Sequence, residues 1–274
     1  MPQYAAHDIS ANRLTQTRGA VHWATQALSA TQDTLLPKTP DDAQSNLAWD
    51  DCRGLVGRPL PDGSMLGLRL VEPAVLLLRD GAVIESFALP GQTIDALFQW
   101  INQTVPGLGE ARTATPPDYD MPDHPYGTSS AVFEPDADAL AYLAQALSTG
   151  HNTLARFADD HDTVDPPRLW PHHFDFGALW LPSANSDAQN GPSIGLGFAP
   201  GDAGVDTPYF YVNPYGLPDN HHQPPDLTRI ADAEPAPSWT GVILRAPAAL
   251  DTDAAHRFLN AAVDAYAKRI REVA

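Results

Sequence analysis

The chain is poor in cysteine: Cys52 is its only one in 274 residues. A single cysteine excludes an internal disulfide framework and any zinc site that needs several thiolates. A lone cysteine is more often a small buried hydrophobe than a nucleophile, so we expect Cys52 to be buried.

Long apolar runs are also missing. The run over residues 74–78, for example, ends at Arg79, whereas a membrane-spanning helix needs about 18 apolar residues. Residues 1–8 have neither the basic nor the apolar region of a secretory signal. We therefore expect a soluble, cytoplasmic protein with no membrane partner and a loosely ordered N-terminal tail over about residues 1–10.

Positive charge is scarce. Asp and Glu number 34 against 16 Lys and Arg, which gives a formal net charge of -18, and the only lysines are Lys38 and Lys268. Such a surface repels phosphate backbones and anionic lipid, so a nucleic-acid partner is not expected. The acidic excess fits either adaptation to high salt or a GC-rich genome, and both explanations stay open.

Apolar residues recur at helical spacing in four places. They predict helices over about residues 12–35, from Thr93 to Pro106, over about residues 136–159, and from about Asp251 onward. The first helix carries an apolar stripe at heptad spacing, formed by Leu14, Val21, Leu28 and Leu35, and Thr93 is a natural N-cap for the second. Asp80-Gly81 between two apolar stretches predicts a hairpin, because this pair readily takes the positive φ angles of a type I′ turn. Further strands are predicted over residues 66–70, 169–181, 194–198, 209–213 and 239–244.

Residues 114–127 are too rich in proline for a helix or a central strand, so we expect an extended loop there. Strands come in runs with helices between the runs. The predicted fold is therefore α+β, with a mainly antiparallel sheet packed against several amphipathic helices, in a single domain over residues 1–274.

The segment over residues 170–180 carries the main candidate site. If it is one strand, His172, Phe174 and Trp180 share the core face, while His173 and Asp175 share the other. Next-but-one residues on a strand lie about 6 to 7 Å apart, close enough to share a divalent metal or for the carboxylate to orient the imidazole. The alternative is that Asp175 is a hydrogen-bonding strand residue and His173 a half-buried packing residue.

Other histidines have simpler interpretations. His22 and Gln26 lie one turn apart on the first helix, where they would supply a third ligand or a substrate clamp, or form a solvated or interface row. His151 falls on an apolar stripe and is expected to be a core histidine. His221 and His222 sit among prolines and are expected to be exposed.

One apparent motif is rejected. Residues 191–195 match the G-x-S-x-G pattern of a nucleophile elbow, which requires a strand before the serine and a helix after it. The flanking sequence predicts neither element. No phosphate-binding loop that ends in Gly-Lys-Ser or Gly-Lys-Thr is present either.

Several stretches occur in an order that resembles an uncharacterised bacterial family, the domain of unknown function 5996. They are His22-Trp23-Ala24-Thr25-Gln26, Arg53-Gly54-Leu55 leading to Pro59-Leu60-Pro61, Trp170-Pro171-His172-His173-Phe174-Asp175, Gly197-Phe198, Pro208-Tyr209-Phe210-Tyr211 with Pro214, and the closing helix. The resemblance implies one domain over nearly the whole chain and no established activity. The family pattern carries histidines where this chain has residues 46–50, so a metal site there would be altered, with Asp50 as a remaining ligand.

Two functions are therefore predicted as alternatives. The first is a metal-assisted hydrolase or related small-molecule enzyme, in which His173 and Asp175 are catalytic and hold a divalent metal together with His22. The second is a non-catalytic protein that binds a small molecule. Its ligand-binding residues would be His22 and Gln26 with an aromatic lining of Trp170, Trp180, Tyr209 and Tyr211.

Overall fold

The computed structural model describes residues 9–119, 121, 125–127, 130–183, 185–217, 226 and 230–273. Within these residues, helices and two antiparallel sheets make an α+β protein, as the sequence predicts. The helices are α1 (Ala11–Leu35), α2 (Ile94–Thr104), α3 (Ala137–Asp159) and α4 (Thr252–Val273). The strands are β1 (Ala48–Asp50), β2 (Gly54–Val56), β3 (Met65–Arg69), β4 (Ala74–Arg79), β5 (Ala82–Ala88), β6 (Arg168–Trp170), β7 (Asp175–Trp180), β8 (Ser193–Ala199), β9 (Tyr209–Tyr215), β10 (Glu234–Pro235) and β11 (Val242–Arg245).

The chain divides into two compact units that interleave in sequence. The first takes the described residues up to Gln145 together with Leu169–Phe174, and the second takes Ala146–Arg168 and the described residues from Asp175 onward. The boundary falls inside α3. The single domain expected over residues 1–274 stays a prediction. In the described part of the chain, no helix combines the length and the apolar character needed to cross a bilayer.

The sheet of the first unit is an antiparallel meander in the order β1-β2-β3-β4-β5. The predicted hairpin is confirmed between β4 and β5, where Asp80 and Gly81 have φ angles of 51° and 77°. Glycine takes a positive φ without strain, and aspartate tolerates it better than most residues do. Strand β5 lies at the sheet edge and exposes Val83 and Ile84.

Helices α1 and α2 pack on each other, and α1 also contacts β3. The apolar stripe predicted for α1 is confirmed, because its four members are buried: Leu14, Val21, Leu28 and Leu35. Thr93 caps α2 as predicted, since its hydroxyl accepts a hydrogen bond from the backbone N–H of Ala96 over 3.2 Å.

Cys52 is exposed, so the prediction that it is buried is wrong. It lies in the tight turn between β1 and β2, where Oδ1 of Asp50 accepts hydrogen bonds from the backbone N–H groups of Cys52 and Arg53 over 2.9 and 2.8 Å. A residue at the tip of such a turn faces solvent whatever its polarity.

Five strands of the second sheet, in the order β10-β11-β9-β8-β7, belong to the second unit. On one face of this sheet, register places Phe176, Phe198 and Phe210 side by side, and helix α4 contacts β8, β9 and β11. Gly150 lets α3 approach this face closely, because a Cβ there would lie 2.2 Å from Cδ1 of Phe198. The other face carries Tyr211.

Candidate functional site

A turn interrupts the strand that the sequence predicts over residues 169–181. Strand β6 ends at Trp170 and β7 begins at Asp175. Between them, the backbone N–H of Phe174 donates to the carbonyl of Trp170 over 2.8 Å, and Phe174 has a φ of +57°. Because Phe174 is left-handed, side chains on either side of it no longer alternate between two strand faces. His173 therefore lies on a turn and does not share a strand face with Asp175. The prediction of one continuous strand is wrong.

Two side chains of α1 hold this turn by the carbonyl oxygen of Pro171. Nε2 of His22 and Nε2 of Gln26 each lie 2.7 Å from that oxygen. Because a carbonyl only accepts hydrogen bonds, His22 carries its proton on Nε2. His22 is 7% exposed and Gln26 1% exposed. The alternative of a solvated or interface row is therefore wrong for this pair, which positions the turn.

Two further contacts complete the anchor. Phe174 is buried and stacks on the ring of His22, with centroids 5.0 Å apart and an interplanar angle of 19°. The hydroxyl of Tyr119 donates to Oε1 of Gln26. Burial, with a smaller contribution from Asp33, raises the pKa of Tyr119 to about 12, so its phenol is a neutral donor at pH 7. The proline-rich segment is thereby tied to α1.

A cleft of about 790 Å³ opens beside this turn, within the first unit. Its walls are one side of α1 between residues 26 and 34, the loop over residues 38–45, the segment over residues 115–119, and residues 170–173. The turn that carries His172 and His173 therefore forms part of a concave surface. Its volume falls in the range of roughly 300 to 1,000 Å³ that is typical of small-molecule sites.

The two adjacent histidines form an aromatic cluster in the cleft wall. The rings of His172 and His173 have centroids 4.2 Å apart, and Trp170 and Tyr119 make T-shaped contacts with His172 at centroid distances of 6.1 and 6.2 Å. Both histidines are exposed, so the assignment of His172 to the core face is wrong. Partial desolvation of the ring and the neighbouring His173 lower the pKa of His172, against an opposing effect of Asp42. His172 is therefore neutral at pH 7.

Carboxylates dominate the charge of the cleft. Among the described residues that line it, four are aspartates, Asp33, Asp41, Asp42 and Asp118, against the single cation Lys38. The pKa of Asp41 is lowered mainly by a hydrogen bond from the Thr39 hydroxyl. Oδ1 of Asp41 also accepts a hydrogen bond from the backbone N–H of Ala43 over 3.3 Å. Oδ1 of Asp33 accepts from Nε2 of Gln44 over 2.7 Å.

Asp175 starts β7 in the second unit and is buried there. The hydroxyl of Tyr211 donates to its Oδ2 over 2.5 Å. Register places Gly177 beside Gly197 and Gly197 beside Tyr211, and a Cβ on Gly197 would lie 2.2 Å from Cζ of Tyr211. The Tyr211 ring therefore fills the space that Gly197 leaves. This geometry matches the alternative in which Asp175 is a hydrogen-bonding strand residue.

The four predicted pocket aromatics take three different positions. Tyr209 and Tyr211 share one face of the second sheet, where the hydroxyl of Tyr209 donates to Oδ2 of Asp202 over 2.5 Å. Trp180 is buried on the opposite face by strand register. Trp170 lines the cleft of the first unit.

Of the other histidines named from the sequence, His151 is described and is not among the residues that line the cleft. His151 is only half-buried, with Nδ1 3.1 Å from Oδ1 of Asn152 and its ring edge against Phe176 at 5.4 Å, so it lies at the rim of the core and not inside it. His221 and His222 lie outside the described residues.

The predicted divalent-metal set of His173, Asp175 and His22 stays a prediction. Among the residues that the structure describes, no group of three or more His, Cys, Asp or Glu is placed to hold a metal ion. Nε2 of His22 donates to a carbonyl, and Oδ2 of Asp50 binds the guanidinium of Arg53 over 2.9 Å.

Sequence reasoning missed the acidic side of the cleft and Tyr119. Asp33, Asp41 and Asp42 lie about 130 residues before the histidine turn in sequence, so local pattern gives no sign that they meet it. Tyr119 did leave a signal, since a tyrosine within a proline-rich segment indicates that the segment packs along the body.

No protein-family model matches the chain, and neither the curated proteins nor the solved structures contain a match. The resemblance to the domain of unknown function 5996 therefore stays a prediction.

Proposed function

We propose that the protein binds a small organic molecule in the cleft of the first unit, with Trp170, His172 and His173 as contacts. The observation that carries this function is the cleft itself, about 790 Å³ with the aromatic turn in its wall. Ligand sites are typically concave and largely formed before the ligand arrives.

The wall of the cleft is built in advance by buried groups. The two donors of α1 fix the Pro171 carbonyl, and the Phe174 ring stacks behind the turn on His22. His172 and His173 face outward as a result. A wall that is already held in place loses little conformational entropy when a ligand binds, which favours affinity.

Metal-assisted hydrolysis has less support from the same contacts. Nε2 of His22 is occupied by the Pro171 carbonyl, and Oδ2 of Asp175 by the Tyr211 hydroxyl. His173 alone of the three candidate ligands is exposed. Binding is therefore the function that the cleft supports best.

A fragment screen by ligand-observed NMR tests this function. Fragments that bind the native protein are measured again on Trp170→Leu, which removes one aromatic wall of the cleft, and are expected to lose binding. Trp100→Leu is the matched control, since Trp100 is also half-buried in the first unit but packs on Phe87 with ring centroids 5.5 Å apart. Fragments that bind both variants as they bind the native protein would contradict a ligand site in the cleft.

A further inference from the structure

We propose that the ligand of this cleft is an organic cation, of the substituted-ammonium class. This inference rests on the binding function proposed above and adds the chemical class of the ligand. It combines two features of the cleft wall: an excess of carboxylates and aromatic rings that reach the surface.

The charge of the wall disfavours anions. Asp33, Asp41, Asp42 and Asp118 face a single Lys38 among the described lining residues. Aspartates make up about a tenth of the whole chain (28 of 274) but four of the 18 lining residues. The acidic lining is thus twice as dense as composition alone provides, and a concave wall of one sign concentrates ions of the opposite sign.

The aromatic side of the wall supplies the second part of cation recognition. Trp170 and Tyr119 both stand nearly perpendicular to His172, at interplanar angles of 77° and 74°. Tyr119 is 40% exposed, so part of its ring remains open to a ligand. Ring faces attract cations, and substituted ammonium groups are recognised by clusters of aromatic rings.

The lowered pKa of His172 and the spacing of the carboxylates both suit an organic cation. Partial desolvation lowers the pKa of His172, so this ring adds an aromatic surface at pH 7 without adding a positive charge that would repel a cation. The carboxylates are spread over α1, the loop over residues 38–45 and the segment over residues 115–119. No three described acidic or histidine groups converge as a compact metal ion requires. Spread charge beside ring faces suits a cation of several atoms better than a bare metal ion.

Choline and its neutral isostere 3,3-dimethylbutan-1-ol test the inference, because they share a shape and differ in charge. Binding to the full chain is followed by saturation-transfer NMR at physiological salt, which screens the diffuse field of the acidic surface. We expect choline to bind about tenfold more tightly than the isostere.

Two matched substitutions locate the effect. Asp42 and Asp80 have the same left-handed φ of 51°, a conformation that asparagine also tolerates, and both are exposed. Asp42→Asn, in the cleft, is expected to weaken choline binding several-fold, while Asp80→Asn, in the β4–β5 hairpin, leaves it unchanged. Equal affinity for the two probes would overturn the inference, and so would equal losses in the two variants.

Failure of the inference is distinct from failure of the binding function. If neutral or anionic fragments bind and lose binding in Trp170→Leu, the cleft is a ligand site and only its preference for cations is wrong. If no fragment of any charge is sensitive to Trp170→Leu, the binding function itself is wrong.

Discussion

The phenolic O–H of Tyr211 donates a hydrogen bond to Oδ2 of Asp175 over 2.5 Å inside the second unit. Burial and the charge of Asp175 raise the pKa of Tyr211 well above its ordinary value. The fold therefore stabilises the neutral phenol, and Asp175 has a structural partner.

Because of this hydrogen bond, we expect the free energy of unfolding to fall at high pH. Above about pH 10 the tyrosines of the unfolded chain lose their protons, whereas Tyr211 in the fold keeps its own. The unfolded state then binds fewer protons, so the free energy of unfolding falls as pH rises. Tyr211→Phe is expected to make that fall shallower in urea titrations between pH 9 and about pH 11. Tyr215→Phe, whose ring is exposed, serves as the control, and identical slopes for both variants would contradict the assignment.

His22→Ala is expected to lower the free energy of unfolding by about 2 to 4 kcal/mol, because it leaves a cavity under Phe174 and removes one donor to the Pro171 carbonyl. Equilibrium urea unfolding measures the change. His151→Ala, at a half-buried histidine of the second unit, should cost about 1 kcal/mol or less. Equal costs at the two positions would count against the anchoring role of His22.

His173→Ala is expected to leave the fold intact, with a loss of about 1 kcal/mol or less, since the side chain is exposed on the turn. The same variant should bind cleft ligands more weakly than the native protein. Metal analysis of both purified proteins tests the hydrolase alternative, in which a bound divalent ion would be lost with the imidazole. A large loss of stability with unchanged ligand and metal binding would assign His173 a packing role instead.

Salt adaptation predicts that the melting temperature rises substantially from low to molar KCl, because counter-ions screen the repulsion among 34 acidic residues. Thermal unfolding followed by circular dichroism over a KCl series measures this. A flat or falling melting temperature would favour genome composition as the origin of the acidic surface.

Local pattern was enough to predict the helices and the main hairpin. Heptad spacing in α1, the Thr93 cap of α2 and the Asp80-Gly81 turn each specify structure through neighbouring residues, so sequence alone reveals them. The prediction of one strand over residues 169–181 was wrong for a different reason. Pro171 signals an interruption, but the alternating aromatics around it imitate a strand, and no side-chain rule places Phe174 in a left-handed conformation.

The cleft depends on contacts that lie far apart in sequence. His22 meets Pro171 across 149 residues, and Tyr119 meets Gln26 across 93. Such contacts follow from the packing of whole elements, which residue spacing does not encode. Sequence reasoning therefore chose a segment that lines the cleft, but it predicted a strand there and placed His173 on one strand face with Asp175, which belongs to the second unit.

Because His22 and Gln26 donate to the same Pro171 carbonyl, the turn can tolerate the loss of either hydrogen bond better than the loss of both. His22→Phe would keep an aromatic stack on Phe174 and leave Gln26 to satisfy the carbonyl, and loss of the Gln26 amide would leave His22 to do the same. Only the joint loss strands a buried oxygen, so the two positions should show strong negative epistasis. A related sequence can then lose one of the two donors without leaving the Pro171 carbonyl unpaired, provided that the other donor is retained.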